Sequence, residues 1–479
     1  MNPVKATLLM PVENQVRELD SKLLLACIAA RRGFSSVIGP RREMHIQITA
    51  FPRSIYLAKS MPVHRNIIFK IMRKLGHEIV AWDEEALVHP QAETYYRRRV
   101  CPLGIKYVSH LFAWGEDNAE LWRHYPELPM GTPIHVTGNP RGDLLRHEMR
   151  DIYEGDVKHL RSTYGDFILV NTNFNHVNAF SPDLNLFRPA KKPGEEPKFG
   201  RAAKGMSREY AEGLRDHKQA IFQDFQRLIP ALDKAFPQHT IVVRPHPTEN
   251  QEIYGNIASQ CERVRVTNEG NVVPWILASQ AIIHNGCTTG VEAYVMGVAA
   301  TSYRPIVNDY YDLGFYRLPN LLSYQCFDFE ELRATLGDIL TGKLGPVDGN
   351  ERQVLIKRHL VALDGPLACE RMVNVLEGIA QGRSELPRPS VRNRLEGRSI
   401  SAIRTLIKRS KERLPVSHNR PEFQHHRYPE VSLEEIRARL SRFQQVLGDS
   451  RELQVEQIYD QFFLISGQKK RMCPSRTWV

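Results

Sequence analysis

The sequence predicts an α/β protein of two parallel-sheet lobes followed by a basic helical tail. Three observations predict it. Short apolar, β-branched runs alternate with amphipathic helical stretches through residues 1–380. The alternation makes one pass over residues 1–150 and a second over 151–380, giving two series of similar size. Lys and Arg then concentrate after residue 380. A chain of 479 residues is also too long for a single core.

The first lobe, residues 1–150, opens on the strand ATLLMPVE. The stretch NQVRELDSKLLLACIAARRG follows, with Val16, Leu19, Leu23, Cys27 and Ala30 on one helical stripe and Gly33 as its stop. FSSVIG, SIYLAKS, HEIVAWD, HLFAWG and IHVTGN are further strands, with helical patterns over 63–75 and 117–124 between them. Such a βαβ series implies a parallel sheet covered on both faces. The second lobe, residues 151–380, comprises DFILVNT, a helix over 206–235, HTIVVRPHP, RVRVTN, a helix over 272–279, AIIHNG, a helix from Thr289, and AATSYR. Within it, SPDLNLFRPAKKPGEEPKFGRAAKG lacks any period and reads as a mobile lid or a disordered loop. Two Rossmann-like lobes with a cleft between them are expected. Residues 381–479 change character. RSELPRPSVRNRLEGR is a linker by composition, and SISAIRTLIKRSKERL sets Ile400, Ile403 and Ile407 on one face near Arg404, Lys408 and Lys411. SLEEIRARLSRFQQVL opens on a capping box, Ser432 to Glu435, and carries Leu433, Ile436, Leu440, Phe443 and Leu447 as its apolar stripe. The tail is expected to form a small helical module. No internal repeat suggests a solenoid.

Hydrophobic content of 42% and charged content of 25% are those of a globular protein. The seven cysteines are odd in number, scattered and without CxxC spacing. They argue against a disulfide framework or a zinc site and fit a reducing cytoplasm. The opening MNPVKATLLMPVEN shows no apolar core of a signal peptide. The longest apolar run, Leu23–Ala30, has eight residues, against the roughly 20 a membrane span needs. A cytoplasmic location is expected. Of the net charge of +11, residues 381–420 carry +8, from eleven Lys/Arg against three Glu. A basic tail suits a polyanionic surface, membrane or nucleic acid. No aromatic-interleaved basic motif supports nucleic acid, so that partner is not expected.

Three motifs fall at strand ends. In WDEEAL, Asp83, Glu84 and Glu85 follow the strand HEIVAW. Adjacent carboxylates repel, which raises the pKa of at least one and suits it to general-base work on a sugar hydroxyl. The competing reading is an acidic cap for the next helix. In IVVRPHPTEN, Pro245 and Pro247 hold His246 extended just past a buried strand, beside Arg244. That edge of an open α/β sheet is where ligands bind, although a plain strand-ending turn would look similar. In HNGCTTGVEAYVMG, Gly286 and Gly290 allow close backbone approach, and Thr288 and Thr289 offer hydroxyls at a helix start. This is a phosphate cradle, with Glu292 one turn on to grip ribose hydroxyls. An ordinary N-cap is its competing reading. The Walker and GxGxxG spacings are absent.

VTGNPRGDLL (136–145), RPHP (244–247) and HNGCTTGVEAYVMG (284–297) together resemble a GT-B glycosyltransferase of bacterial surface-polysaccharide assembly, in particular the surface carbohydrate biosynthesis proteins, over about residues 1–380. The trio is also similar to bacterial sialyltransferases and Kdo transferases, through Glu84–Glu85–Ala86, His246–Pro247 and Thr288–Thr289; Ala86 stands where that motif has glycine. The resemblance implies a GT-B, metal-independent glycosyltransferase without a cofactor. It would take a nucleotide-sugar donor, a CMP-activated acidic sugar, and a glycan or lipid-linked acceptor. Glu84 or Asp83 would be the base. His246 and Arg244 would neutralise the leaving phosphate, which Gly286, Thr288, Thr289 and Glu292 would help to hold. Arg17, Asn139 and Arg141 would be secondary contacts. The tail lies outside the resemblance; its charge and the stripe of Ile400, Ile403 and Ile407 predict that residues 381–420 rest on the inner face of an anionic membrane. Alternatives are a sugar-nucleotide 2-epimerase, a teichoic-type glycerophosphotransferase and, outside enzymes, a nucleic-acid-binding protein acting through the tail.

Overall fold

The computed structural model describes residues 5–62, 65–190, 194–312, 316–385, 388–414 and 417–467. The chain divides into two compact units. Unit 1 is Met1–Ile152, Val354–Leu414 and Gln424–Val479; unit 2 is Tyr153–Gln353 and Pro415–Phe423.

In unit 1 six parallel strands, β1 (Thr7–Val12), β2 (Ser35–Pro40), β3 (Ile55–Ala58), β4 (Glu78–Ala81), β5 (His110–Ala113) and β6 (Ile134–Val136), lie in the order 2-1-3-4-5-6. Strands β3 and β4 are buried at every position, the state that continuous apolar runs select when helices cover both faces. The sheet has two further strands. Gln454–Tyr459 and Phe462–Ser466 form a hairpin whose second strand pairs antiparallel with β2, Phe463 opposite Ile38. The helix Gln15–Arg31 is buried from Glu18 through Ala30, polar residues included. It is wrapped on several sides because Ala368–Glu385 and Leu433–Val446 also pack on it.

These contacts correct the expected partition. Residues 354–380 belong to unit 1 rather than to the second lobe, and most of 381–479 builds the same unit instead of a separate module. The physical reason is burial: Phe462, Phe463 and Ile465 are at most 1% exposed, and they cover an edge of the sheet that would otherwise offer unpaired backbone. The basic helix Val391–Glu412 lies on Asn66–Lys74, with Gly397 at the crossing, where a Cβ would come within 3.2 Å of Lys74 Cβ. Of the expected apolar stripe, Ile400 packs against the unit 1 core, whereas Ile403 and Ile407 are exposed.

Unit 2 contains β7 (Phe167–Asn171), β8 (Phe187–Arg188), β9 (Lys198–Phe199), β10 (Thr240–Arg244), β11 (Val264–Val266), β12 (Ala281–His284), β13 (Ala300–Tyr303) and β14 (Tyr324–Cys326). Six of them form a parallel sheet in the order β11-β10-β7-β12-β13-β14. Renumbered by appearance this is 3-2-1-4-5-6, the Rossmann order. Strands β8 and β9 pair inside the stretch expected to be a lid or disordered. Leu186, Phe187, Ala203, Ala211 and Leu214 give it a small core of its own; residues 191–193 lie outside the described residues. Helix Arg208–Ala235 starts at Ser207, whose side chain accepts from the Tyr210 N–H. Among the described residues no helix is long and apolar enough to cross a membrane.

Candidate functional site

The strand order of unit 2 reverses between β7 and β12, and in such sheets the ligand crevice lies outside the carboxyl ends of the strands at that point. Three segments leave the sheet there: Thr172–Phe174 after β7, Pro245–Glu249 after β10 and Asn285–Thr289 after β12. The His246 N–H donates to the Thr172 carbonyl at 3.1 Å and to Glu249 Oε1 at 3.0 Å. Glu249 is fully buried and also accepts from the hydroxyls of Thr172 (3.0 Å) and Tyr254 (2.7 Å), so the backbone at His246 is clamped. The Thr248 N–H donates to His246 Nδ1 at 3.3 Å, with the Thr248 hydroxyl 2.8 Å away. Nδ1 is thereby an acceptor, which puts the proton of the neutral ring on Nε2. His246 itself is half-buried.

Arg244 is placed differently from expectation. Its guanidinium donates to the carbonyls of Glu269 (2.7 Å) and Gly270 (2.5 Å) and lies over the Trp275 ring. Burial pushes its pKa down to about 9. It fastens the end of β10 to the turn at 269–270, and the phosphate-neutralising role expected of it does not fit this placement.

The turn after β12 is shaped by a histidine that the motif contains but sequence reasoning passed over. His284 Nδ1 accepts from the Gly286 N–H at 3.0 Å, and Nε2 lies 2.8 Å from Ser323 Oγ. Burial lowers its pKa to about 3, so the ring is neutral. Gly286 has φ +83°, and a Cβ there would meet the Tyr316 ring at 2.6 Å; a Cβ on Gly290 would strike His284 Nε2 at 2.4 Å. The two glycines therefore let the turn and the next helix seat on side chains. Helix Thr288–Met296 begins without a side-chain cap from Cys287, leaving its first amides to other acceptors. Thr289 Oγ1 contacts Cys287 Sγ. Thr288 and Thr289 are half-buried, and Glu292 is 5% exposed.

Around this turn lies a signal that sequence reasoning missed. Asn171 Nδ2 at the end of β7, Asn173 Oδ1 just beyond it and Asn285 Oδ1 after β12 are buried atoms with no hydrogen-bond partner among the described residues. Each such group costs about 1–3 kcal/mol unless something pairs with it. Asn285 also lines a small, partly open pocket, with Phe174, Lys218, Arg304, Asp312 and Tyr316 among its walls. Lys218 sits 4.0 Å from the Tyr316 ring centroid and donates to its hydroxyl. Thr288, Thr289 and His246 do not line that pocket; the structure sets them on neighbouring segments of the same sheet edge.

Unit 1 places the acidic motif at the carboxyl end of β4 and separates its members. Asp83 is completely buried; Arg99 grips both its oxygens, Tyr95 donates at 2.9 Å, and the Glu85 N–H donates at 3.2 Å. With its acceptor sites so occupied, Asp83 does not fit the expected role of base. Glu84, 3% exposed, accepts from Lys22 at 2.8 Å through Oε1, while Oε2 is buried with no partner among the described residues. Lys22 also meets Glu18 at 3.4 Å, and Lys59 bridges Glu18 to Glu13. Burial alone would raise the Glu18 carboxyl, but Lys59 and Lys22 bring it down to about 2. Glu85 keeps 43% of its side chain exposed and meets Arg17 at 3.2 Å. Burial would raise it too, yet Arg17, Arg99 and Arg141 hold it well below the usual carboxylate range. The raised carboxyl expected of the trio is thus not found at Glu85: arginines, not like charges, dominate there. Asn139 caps the turn Pro140–Asp143 by accepting from the Arg141 N–H at 3.0 Å. Arg141 lies over Trp114 and reaches the Glu84 carbonyl at 3.4 Å. Asp143, in the same motif, accepts from the N–H groups of Ala368 (2.7 Å) and Cys369 (2.8 Å), capping helix Ala368–Glu385.

No family model and no curated protein matches the chain. Among solved structures, the wall teichoic acid polymerase TagF soaked with CDPG is similar over 80% of this chain and 90% of its own, at 11% identity and a TM-score of 0.50. UDP-GlcNAc 2-epimerases from Methanocaldococcus jannaschii (12% identity, 77% of this chain and 99% of the other, TM-score 0.43) and Neisseria meningitidis (11%, 78% and 99%, 0.44) are also similar. The likeness to the polymerase is one of fold. Together with the two parallel-sheet units it establishes the GT-B class expected from the sequence.

Proposed function

We propose that the chain is a transferase of bacterial surface-polysaccharide assembly that binds a nucleotide-activated donor at the carboxyl edge of the unit 2 sheet. The unpartnered amide atoms Asn171 Nδ2, Asn173 Oδ1 and Asn285 Oδ1 at the strand-order reversal carry this reading, because a base or ribose supplies the donors and acceptor they lack. The uncapped helix start at Thr288 and Thr289 suits the donor phosphate. His246, its Nε2–H a donor, stabilises charge on that phosphate as the bond to the transferred group breaks. The donor favoured by the motif resemblance is a CMP-activated acidic sugar. On the acceptor side Glu85 is preferred over Glu84 and Asp83 as base, since a base has to reach its substrate and only Glu85 is substantially exposed. Catalysis is assigned to protein groups without a metal. The location is cytoplasmic, with the basic helix Val391–Glu412 resting on an anionic membrane; Ile403, Leu406 and Ile407, each more than half exposed, give it an apolar face to insert.

A second reading, glycerophosphate transfer of the teichoic type, is favoured by the likeness to the polymerase. Product analysis after incubation with a CMP-sugar, CDPG and UDP-GlcNAc in turn distinguishes them. Sugar transfer from the CMP donor supports the first reading, transfer from CDPG the second, and an epimerised UDP-sugar excludes both.

A further inference from the structure

The carboxyl edge of the unit 1 sheet also holds a basic cluster that the proposed chemistry does not use. Arg41 and Arg42 open the short helix after β2, Arg65 follows β3, and Arg404 and Lys408 project one turn apart from helix Val391–Glu412. Arg41 pairs with Glu13, and Arg42 with Glu43 and Glu412. No other carboxylate pairs with the cluster among the described residues, although Glu13 lies near enough to act on the charge of Arg65. Arg65 is 7% exposed, yet its guanidinium has no ion pair or hydrogen bond among the described residues. Arg404 makes one contact, at 3.5 Å, with the His45 carbonyl, and half-buried Lys408 has no carboxylate among the described residues. Arg42 Nε and His45 Nδ1 beside them are buried without partners among the described residues. The cations are close enough to disfavour one another's charge. Burial, then Arg404, Arg65, Arg41 and Arg42, bring Lys408 down to about 7; burial, then Arg41, outweigh the opposing pull of Glu13 and bring Arg65 to about 9. A buried charge without a partner is costly, so a fold selected for stability alone would replace it.

We propose that Arg65, Arg404 and Lys408 form a binding site for a phosphate group. Guanidinium forks match phosphate oxygens, and a dianion neutralises several converging cations at once. The depth of Arg65 excludes a rigid duplex, whose phosphates could not reach it. The ligand is therefore a small phosphate or a phosphate headgroup presented by a lipid. Either leaves the donor site of unit 2 untouched, and the proposal stands whether or not that site binds a nucleotide.

The test is calorimetric titration of the full chain with sodium pyrophosphate at fixed ionic strength, and flotation with phosphatidic acid in phosphatidylcholine vesicles. Both are run on the parent, on Arg65→Gln and on Lys408→Ala, each in a Thr288→Ala/Thr289→Ala background that silences the other candidate phosphate site. At least a tenfold loss of affinity in both variants is expected. If pyrophosphate shows it, the site takes soluble phosphates; if only the vesicles do, it takes a lipid headgroup. In chloride buffer Arg65→Gln is expected to raise the melting temperature, whereas a merely structural arginine would lower it. Affinities for both probes that match the parent's in both variants overturn the proposal.

Discussion

His246 is clamped through its backbone by Thr172 and Glu249, and its Nδ1 accepts from the Thr248 N–H, so the neutral ring carries its proton on Nε2. His246→Ala is expected to leave the fold intact and to cut turnover about 10²–10³-fold, the scale for one preorganised charge-stabilising group. Steady-state rates beside a melting curve check this; a normal rate returns the Pro-His-Pro segment to a strand stop. The acidic motif separates in a different way. Asp83→Asn is expected to destabilise unit 1 by about 3 kcal/mol, because Arg99 would keep its charge and lose its partner. Glu85→Gln is expected to lose transfer while keeping stability and donor binding. Denaturation and single-turnover assays on the same two variants separate these outcomes, and transfer retained by Glu85→Gln removes it as the base. Glu18 sets a pH dependence. Its folded pKa, about 2, lies below the ordinary 4.5, so its stabilising contribution is present above 4.5 and fades as pH falls toward 2. Glu18→Gln is expected to flatten the fall in melting temperature across that window; an unchanged slope assigns the acid sensitivity elsewhere.

At the scale of elements, most strands were legible because each is a short apolar run buried on both faces, and ten of the sequence-predicted strands coincide with β1–β7, β10, β12 and β13. The strand predicted at RVRVTN is β11. The C-terminal hairpin was not legible. Its partner, β2, lies more than 400 residues away, as in the pairing of Phe463 with Ile38, and no local period encodes such a pairing. The same cause hid the placement of residues 354–380. Within the candidate site, His246 and Thr288 were found through the Pro and Gly punctuation at strand ends. Asn171, Asn173 and Asn285 were not, because asparagine beside a turn is ordinary turn chemistry until burial shows an amide without a partner. One prediction belongs to the basic helix. Replacing Ile403, Leu406 and Ile407 together by Asp is expected to abolish flotation with anionic vesicles without lowering the melting temperature, since all three are exposed. Undiminished flotation would show that the helix is not a membrane anchor.

For the whole molecule, the two units divide the work that the proposed reaction needs. Unit 2 has the Rossmann strand order and, at its edge, the unpartnered amide atoms to which the proposal assigns the nucleotide; unit 1 has an acidic motif whose members occupy three distinct environments. One fold hosts many activities, so function rests on the chemistry of these sites and not on the fold. The central claim is that the unit 2 sheet edge binds a cytidine nucleotide. Its most direct test is the affinity of CMP, CDP and UDP for the parent and for Thr288→Ala/Thr289→Ala, measured by calorimetry. A cytidine nucleotide is expected to bind best, and the double variant to lose about 1–3 kcal/mol of that binding, the scale of charge-assisted hydrogen bonds. No binding of any nucleotide by the parent, or equal binding by the double variant, would contradict it.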